Sequence, residues 1–207
     1  MRELPPPAPD FGAAVHTPPE APFLTQIAHR RSASAQALHA PGPDAEELDA
    51  ILRLSARAPD HGKLFPWRFI VLEGEAKARF AERLAALAGG QADPDKAKQA
   101  LRKLTAPPLA VAVISRVESG KIPEWEQVLS AGSVCTLMLL AAQGFGYGAN
   151  WITDWYSYDS GATALLGLAA SERVAGFVYM GTASEAPLER VRPDVAALTT
   201  RWSESPA

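Results

Sequence analysis

The apolar positions along the chain change period several times, and each change marks an element. Residues 1–22 carry Pro5, Pro6, Pro7, Pro9, Pro18, Pro19 and Pro22 with no apolar run. That predicts an extended arm, because proline removes donors and biases its predecessor away from the helix. A short helix is expected over 23–29. After the break at Pro41-Gly42-Pro43, Asp44 with Glu47 three residues on forms a box-like helix start. Leu48, Ile51, Leu52 and Ser55 then share one face of a helix that ends near Ala58-Pro59.

Beyond it, Trp67–Glu73 is aromatic and branched and reads as a strand. Phe80, Leu84 and Leu87 place an amphipathic helix over 76–87, which Gly89-Gly90 ends, and a polar helix is expected over 94–105. The continuous apolar run 108–115 predicts a strand buried on both faces. A long helix over 124–143 is apolar nearly all round from Val128 onward, so it is expected to be central, with Gly144 closing it. A short strand within 145–152, a helix over 162–168 and a strand over 173–180 complete the order, followed by a tail from Ala183. This order is not a regular βαβ alternation. It predicts an α+β fold, a sheet with helices packed on both faces. With no repeat and no internal linker, the organisation expected is an arm at 1–22 and a single domain over 23–207.

Composition narrows the possible functions. The chain has 207 residues, 47% of them hydrophobic and 21% charged, and a formal net charge of −3. Such a balance gives no global basic field to attract nucleic acid, so any bound anion must be held by a local cluster. The single cysteine, Cys135, rules out an intramolecular disulfide and, lying in the apolar helix, reads as a packing residue. The arm lacks a signal-peptide pattern. The apolar stretch 128–142 spans 15 residues, short of the roughly 20 that cross a bilayer. No membrane partner and a cytoplasmic location are therefore expected. His16, His29, His39 and His61 never share a ligand spacing on one predicted element, so no metal site is expected either.

Three clusters could carry chemistry. Arg30-Arg31-Ser32 offers two forked cations and a hydroxyl to a phosphate; a solvated basic helix end explains the same residues. The loop from Arg57 through Ala58-Pro59-Asp60-His61-Gly62-Lys63 sits between a helix and a buried strand, where loops often carry function. Asp60 and His61 are equally ordinary turn residues. Gly144-Phe145-Gly146-Tyr147-Gly148-Ala149-Asn150-Trp151 would let backbone approach a flat ligand, or is simply a turn. Its glycine spacing and its place after a helix do not fit a dinucleotide fingerprint, and no G-x-S-x-G elbow is present.

In order, Arg30-Arg31-Ser32, Arg57-Ala58-Pro59-Asp60-His61 with Pro66-Trp67, Trp125-Glu126-Gln127, Ser130-Ala131-Gly132 and Gln143-Gly144-Phe145-Gly146 resemble the FMN-dependent nitroreductase family. The likeness runs from about residue 24 to 182 and is nearest to the short-chain bacterial NAD(P)H nitroreductase branch. Each motif is weak singly and the ordered set is strong. The resemblance implies a three-layer fold with a mostly antiparallel sheet, and a homodimer with a flavin at each interface and exchanged C-terminal arms. It implies FMN as cofactor, NADH or NADPH as co-substrate, and a small electron-poor acceptor such as a nitroaromatic or quinone. It assigns FMN phosphate and ribityl contacts to Arg30, Arg31 and Ser32. Arg57 and His61 would reach the partner's flavin, and Trp151, Ile152 and Thr153 would run beside the isoalloxazine. Leu139, Leu140, Ala141, Ala142, Gln143 and Gly144 correspond to a nicotinamide-nucleotide segment.

Ser34 departs from the pattern, since many relatives have a basic residue there; Arg190 or Arg192 in the tail resembles a phosphate-binding residue that could replace it. The implied mechanism is ping-pong hydride transfer through flavin N5, with no catalytic side chain required. Donors near the pyrimidine end of the ring, Arg30 or Arg31, would stabilise the reduced anion. Ene reduction, dehalogenation or another flavin chemistry on the same fold, and a non-catalytic flavin-binding protein, remain as alternatives.

Overall fold

A computed structural model of the chain describes residues 4–5 and 21–203, so most of the proline-rich arm lies outside the described residues. The elements are α1 (Ala21–Ala28), β1 (Leu38–His39), α2 (Ala45–Ser55), β2 (Trp67–Glu73), α3 (Gly74–Ala88), α4 (Pro94–Ala100), α5 (Arg102–Thr105), β3 (Leu109–Arg116), α6 (Glu124–Gly144), β4 (Gly148–Ile152), α7 (Ser160–Leu165) and β5 (Glu172–Ala183). All strand pairs are antiparallel: β5 pairs with β1, β3 and β4, and β2 lies on the far side of β3.

The strand period of two separates the core into two layers. Leu109, Val111 and Val113 of β3 join the cluster under α2 and α6, while Ala110, Ala112 and Ile114 join the one under α3 and α5. This is the expected α+β arrangement of a sheet between helical layers. The capping box also forms as expected: Asp44 accepts from the Glu47 N–H at 2.9 Å, and Glu47 accepts from the Asp44 N–H at 3.2 Å.

Several boundaries differ from the sequence reading. The helix expected over 94–105 is two helices joined at Leu101, where a ψ of −18° tightens the turn; Leu101 and Leu104 both reach the core. The long helix ends at Gly144, as expected, and the left-handed residue that follows it is Gly146, at φ 78°. There the Tyr147 N–H donates to the Ala142 carbonyl at 3.0 Å and the Gly146 N–H to the Gln143 carbonyl at 2.8 Å. The turn beyond the helix buries Phe145 and Tyr147. The two-residue β1 was not foreseen because so short a strand has no period. It pairs with Thr182 and Ala183, carrying β5 past the expected end at 180.

By length and composition alone the 21 residues of α6 could cross a bilayer, contrary to the estimate from its apolar stretch. Ala131, Val134, Met138 and Ala142 are instead fully buried against the sheet, the mark of a core helix. The opposite face is not covered: Trp125, Val128 and Leu129 are exposed in the single chain. The helix is central, as expected, but buried on one side only.

Two local arrangements fix the start of β5. The ladder between β3 and β5 slips by one residue at Val113/Ile114, where Ala175 of β5 has no partner. The Trp151 indole N–H donates to the carbonyl of that extra residue at 3.1 Å. Its ring lies over Gly176, where a Cβ would stand 1.9 Å from Nε1. Gly176→Ala should therefore push the indole off the bulge and cost about 1–3 kcal/mol. Urea unfolding together with Trp emission checks this; wild-type stability and an unchanged spectrum would refute it.

Three residues before the bulge, at the start of β5, the Arg68 guanidinium donates to the two Glu172 carboxylate oxygens at 2.7 and 2.8 Å, and the Ala169 N–H donates at 2.9 Å. The Arg68 hydrogen bonds hold the Glu172 carboxyl down at about 2, from an ordinary 4.5. A carboxyl lowered by folding stabilises the fold fully above its unfolded pKa, and that stability disappears as pH falls through its folded pKa. The contribution is therefore lost across the window from 4.5 down to about 2. Glu172→Gln should cost about 2 kcal/mol at neutral pH and lose less further stability than wild type on acidification. Unfolding free energies at neutral pH and at about pH 3 measure both effects.

Candidate functional site

The site is assembled around the start of β4. The Ala33 N–H donates to the Ala149 carbonyl at 3.1 Å, and the Asn150 side-chain amide donates to the Ala33 carbonyl. These bonds fasten the segment after α1, with Arg30, Arg31 and Ser32, beside the strand that ends in Trp151 and Ile152. Gly148 permits the approach: a Cβ there would stand 2.7 Å from Leu38 and 3.2 Å from Ala33. The end of α6 holds the same segment from below. Gln143 donates to the Arg31 carbonyl at 2.5 Å, and Gln26 of α1 donates to the Leu140 carbonyl at 2.8 Å. The structure thus brings the Arg30–Ser32 cluster beside the contiguous glycine segment and 151–153 stretch, which lie far from it in sequence.

The tail adds a further cation. Arg192 donates to the Arg30 carbonyl at 3.2 Å, and Arg31 donates to the Leu188 carbonyl at 2.8 Å. Of the two tail arginines considered from sequence, Arg192 is therefore the one at this segment. Arg190 reaches Glu189 only through its backbone N–H. The Glu189 carboxylate lies 2.8 Å from Arg192 and 3.7 Å from Arg31. These tail contacts are made to the same chain's own segment. Arg30 and Arg31 border a cleft of about 580 Å³, and Arg31 with Ser32 one of about 460 Å³; Glu185 of the tail lines both, and Arg192 reaches the segment through the Arg30 carbonyl. Three guanidiniums against the Glu185 and Glu189 carboxylates leave a small excess of positive charge, which suits a phosphate monoester.

Arg57 and His61 are elsewhere. Arg57 is exposed after α2, and His61 opens a short 3-10 turn, His61–Lys63, that packs against the first turns of α6. The His61 Nδ1 is hydrogen-bonded to the Glu126 carboxylate. Glu126 and Gln143 are seventeen residues apart on α6, about 25 Å at the rise of an α-helix. Within one chain, the Arg57–His61 loop and the Arg30–Ser32 segment therefore cannot touch the same phosphate. The 139–144 stretch lies against the Arg30–Arg31 segment. Leu139 and Ala142 are buried and the Gln143 amide is already engaged, so only Gly144 is exposed.

Sequence reasoning named Asn150 only as part of the glycine cluster and missed its bond to Ala33, Glu189 and the partner of His61. Trp125-Glu126-Gln127 was visible as a motif, but without the fold it had no role. Cys135 is fully buried, and burial pushes its thiol up to about 12, so it is no nucleophile. The Tyr156 and Tyr179 hydroxyls, 2.6 Å apart, lie in the core on the opposite side of the sheet. Among the described residues no group of three or more His, Cys, Asp or Glu side chains gathers as a metal site would.

Comparison with known proteins bears on the family and the fold. The chain is 37% identical over 164 residues to the Escherichia coli K12 protein named "Putative NAD(P)H nitroreductase YdjA", covering 77% of this chain and 87% of that one. It is 34% identical over 165 residues to a like-named Haemophilus influenzae protein, covering 78% and 89%. In fold it resembles the nitroreductase-like family protein of Bacillus cereus, with a TM-score of 0.78 at 18% identity over 91% of this chain and 98% of that one. It also resembles a nitroreductase of Desulfovibrio desulfuricans crystallised with FMN, with a TM-score of 0.72 at 21% identity over 89% and 99%. The model of the Nitroreductase family matches residues 27–182, and the chain belongs to that family.

Proposed function

We propose that this protein is an FMN-dependent NAD(P)H oxidoreductase that works as a homodimer, passing a hydride in ping-pong fashion to a small electron-poor acceptor. The observation that carries the reading is the division of the site. Three guanidiniums and a hydroxyl gather beside β4, while Arg57 and His61 stand about 25 Å away at the other end of α6. A second copy related by a two-fold axis would bring its Arg57–His61 loop to this chain's Arg30–Ser32 segment. FMN-bound relatives of the same fold, from Desulfovibrio desulfuricans and Bacteroides fragilis, support FMN as the ligand.

When bound, FMN supplies hydride acceptance and release at N5. Arg30, Arg31 and Arg192 would neutralise its phosphate, and Ser32 would add a neutral donor. The backbone of Trp151, Ile152 and Thr153 would run beside the ring, and the indole fastened on the β5 bulge keeps that strand from shifting. Residues 139–144 border the cleft where the nicotinamide nucleotide would approach.

Cofactor released from the purified protein should be FMN, because no glycine-rich pyrophosphate loop is present for FAD. Arg30→Ala and Arg57→Ala should each weaken FMN binding about ten-fold or more, the worth of one charge-assisted hydrogen bond. FAD in the extract, or a colourless protein that takes up no FMN, would overturn the reading. A variant with wild-type FMN affinity would remove that residue from the site.

The dimer follows from the uncovered face of α6, where Trp125 is 64%, Leu129 59% and Val128 49% exposed, beside Phe65 at 63%. An apolar face of this kind next to a half-site is the expected contact of two copies. Sedimentation of the holoprotein at low micromolar concentration should give one species near twice 22.0 kDa. A monomer with full flavin occupancy would contradict it.

A further inference from the structure

The loop that carries His61 is held in a conformation side chains rarely adopt. Gly62 lies at φ 80°, Lys63 at φ 58° and Phe65 at φ 48°, so two residues with a Cβ are in the left-handed region. Such strain persists only where the surroundings over-determine it, and it collects at functional sites. Two braces hold it here. The Asp60 carboxylate accepts from the Phe65 N–H at 2.9 Å and closes the loop on itself. Glu126, on the first turn of α6, takes the His61 Nδ1 and ties the loop to the helix.

The two partners of the second brace are unequally covered. The imidazole is 63% exposed and the carboxylate 27%. An ionised carboxylate has only lone pairs to offer, so the proton in this bond belongs to Nδ1. One ring nitrogen is thereby anchored at the helix, and Nε2 is left toward solvent. Phe65 of the same loop, and Trp125 and Leu129 of the same end of α6, are exposed as well, so the loop belongs to the face that the dimer would cover.

We infer that Glu126 is a positioning residue for the cofactor: it orients His61 so that Nε2 meets the FMN held by the partner subunit. This rests on the FMN-dependent dimer proposed above. Glu126 would not touch the cofactor, and its effect would pass entirely through the imidazole. The Asp60 brace would keep the loop closed without it, so the substitution should act on orientation rather than on folding.

The test is a double-mutant cycle read as the FMN dissociation constant, by titrating apoprotein into fluorescent FMN. Glu126→Ala should bind FMN about ten-fold more weakly than wild type. Glu126→Gln, whose amide oxygen still accepts from Nδ1, should retain most of the affinity. In a His61→Ala background, Glu126→Ala should have no further effect. The unfolding midpoint of each apoprotein identifies any variant that merely fails to fold. Wild-type affinity in Glu126→Ala would overturn the inference. So would equal losses in the Gln and Ala variants, or an undiminished loss in the His61→Ala background. A wild-type protein that binds no FMN defeats the parent reading and this one together, whereas the three preceding results defeat this one alone.

Discussion

Helix α6 is apolar around most of its circumference, and one small chain can cover only part of it. That constraint organises the molecule. Its inner face, with Ala131, Val134, Cys135, Met138 and Ala142 fully buried, fills the core between α2 and the sheet. Its outer face keeps Trp125, Val128 and Leu129 in solvent. Its two ends hold the two halves of the candidate site, Glu126 with His61 at one and Gln143 with Arg31 at the other. Leaving large apolar side chains in water is costly, and the proposed dimer would cover this face and join the two halves of the site.

Around that helix the site is built mainly from backbone. The Arg30–Ser32 segment has no regular structure, and its position depends on Ala33 and Asn150 at β4, Gln143 at α6 and the tail carbonyl at Leu188. Bare approach at Gly148 and Gly176 makes room for these contacts, because a side-chain carbon at either would collide with its neighbours. Such a scaffold leaves the guanidiniums facing the clefts while their main chain is fixed, the arrangement in which charged donors bind an anion with little reordering.

Electrostatics separates structural charges from available ones. Arg68 is committed to Glu172, and Lys77 to three carbonyls at the end of α5 and beyond. Both serve the fold. Arg31 and Arg192 meet the exposed Glu189 instead. A solvent-screened pair of this kind is worth little, so a phosphate dianion would displace the carboxylate at small cost.

The amino-acid sequence by itself determined the local order: the Asp44–Glu47 capping box, the twofold alternation of β3, the length of α6 and the ordered clusters that mark the family. Each depends on neighbours a few residues apart, where period and cap chemistry are readable. The tertiary structure alone decided where the clusters meet. It set Arg192 rather than Arg190 beside Arg30, put the left-handed turn after α6 at Gly146, placed Trp151 on the Ala175 bulge and gave His61 its partner 65 residues away. These contacts are made between side chains and backbone far apart in sequence, and no local period records them; they arise only when packing brings the elements to a common surface.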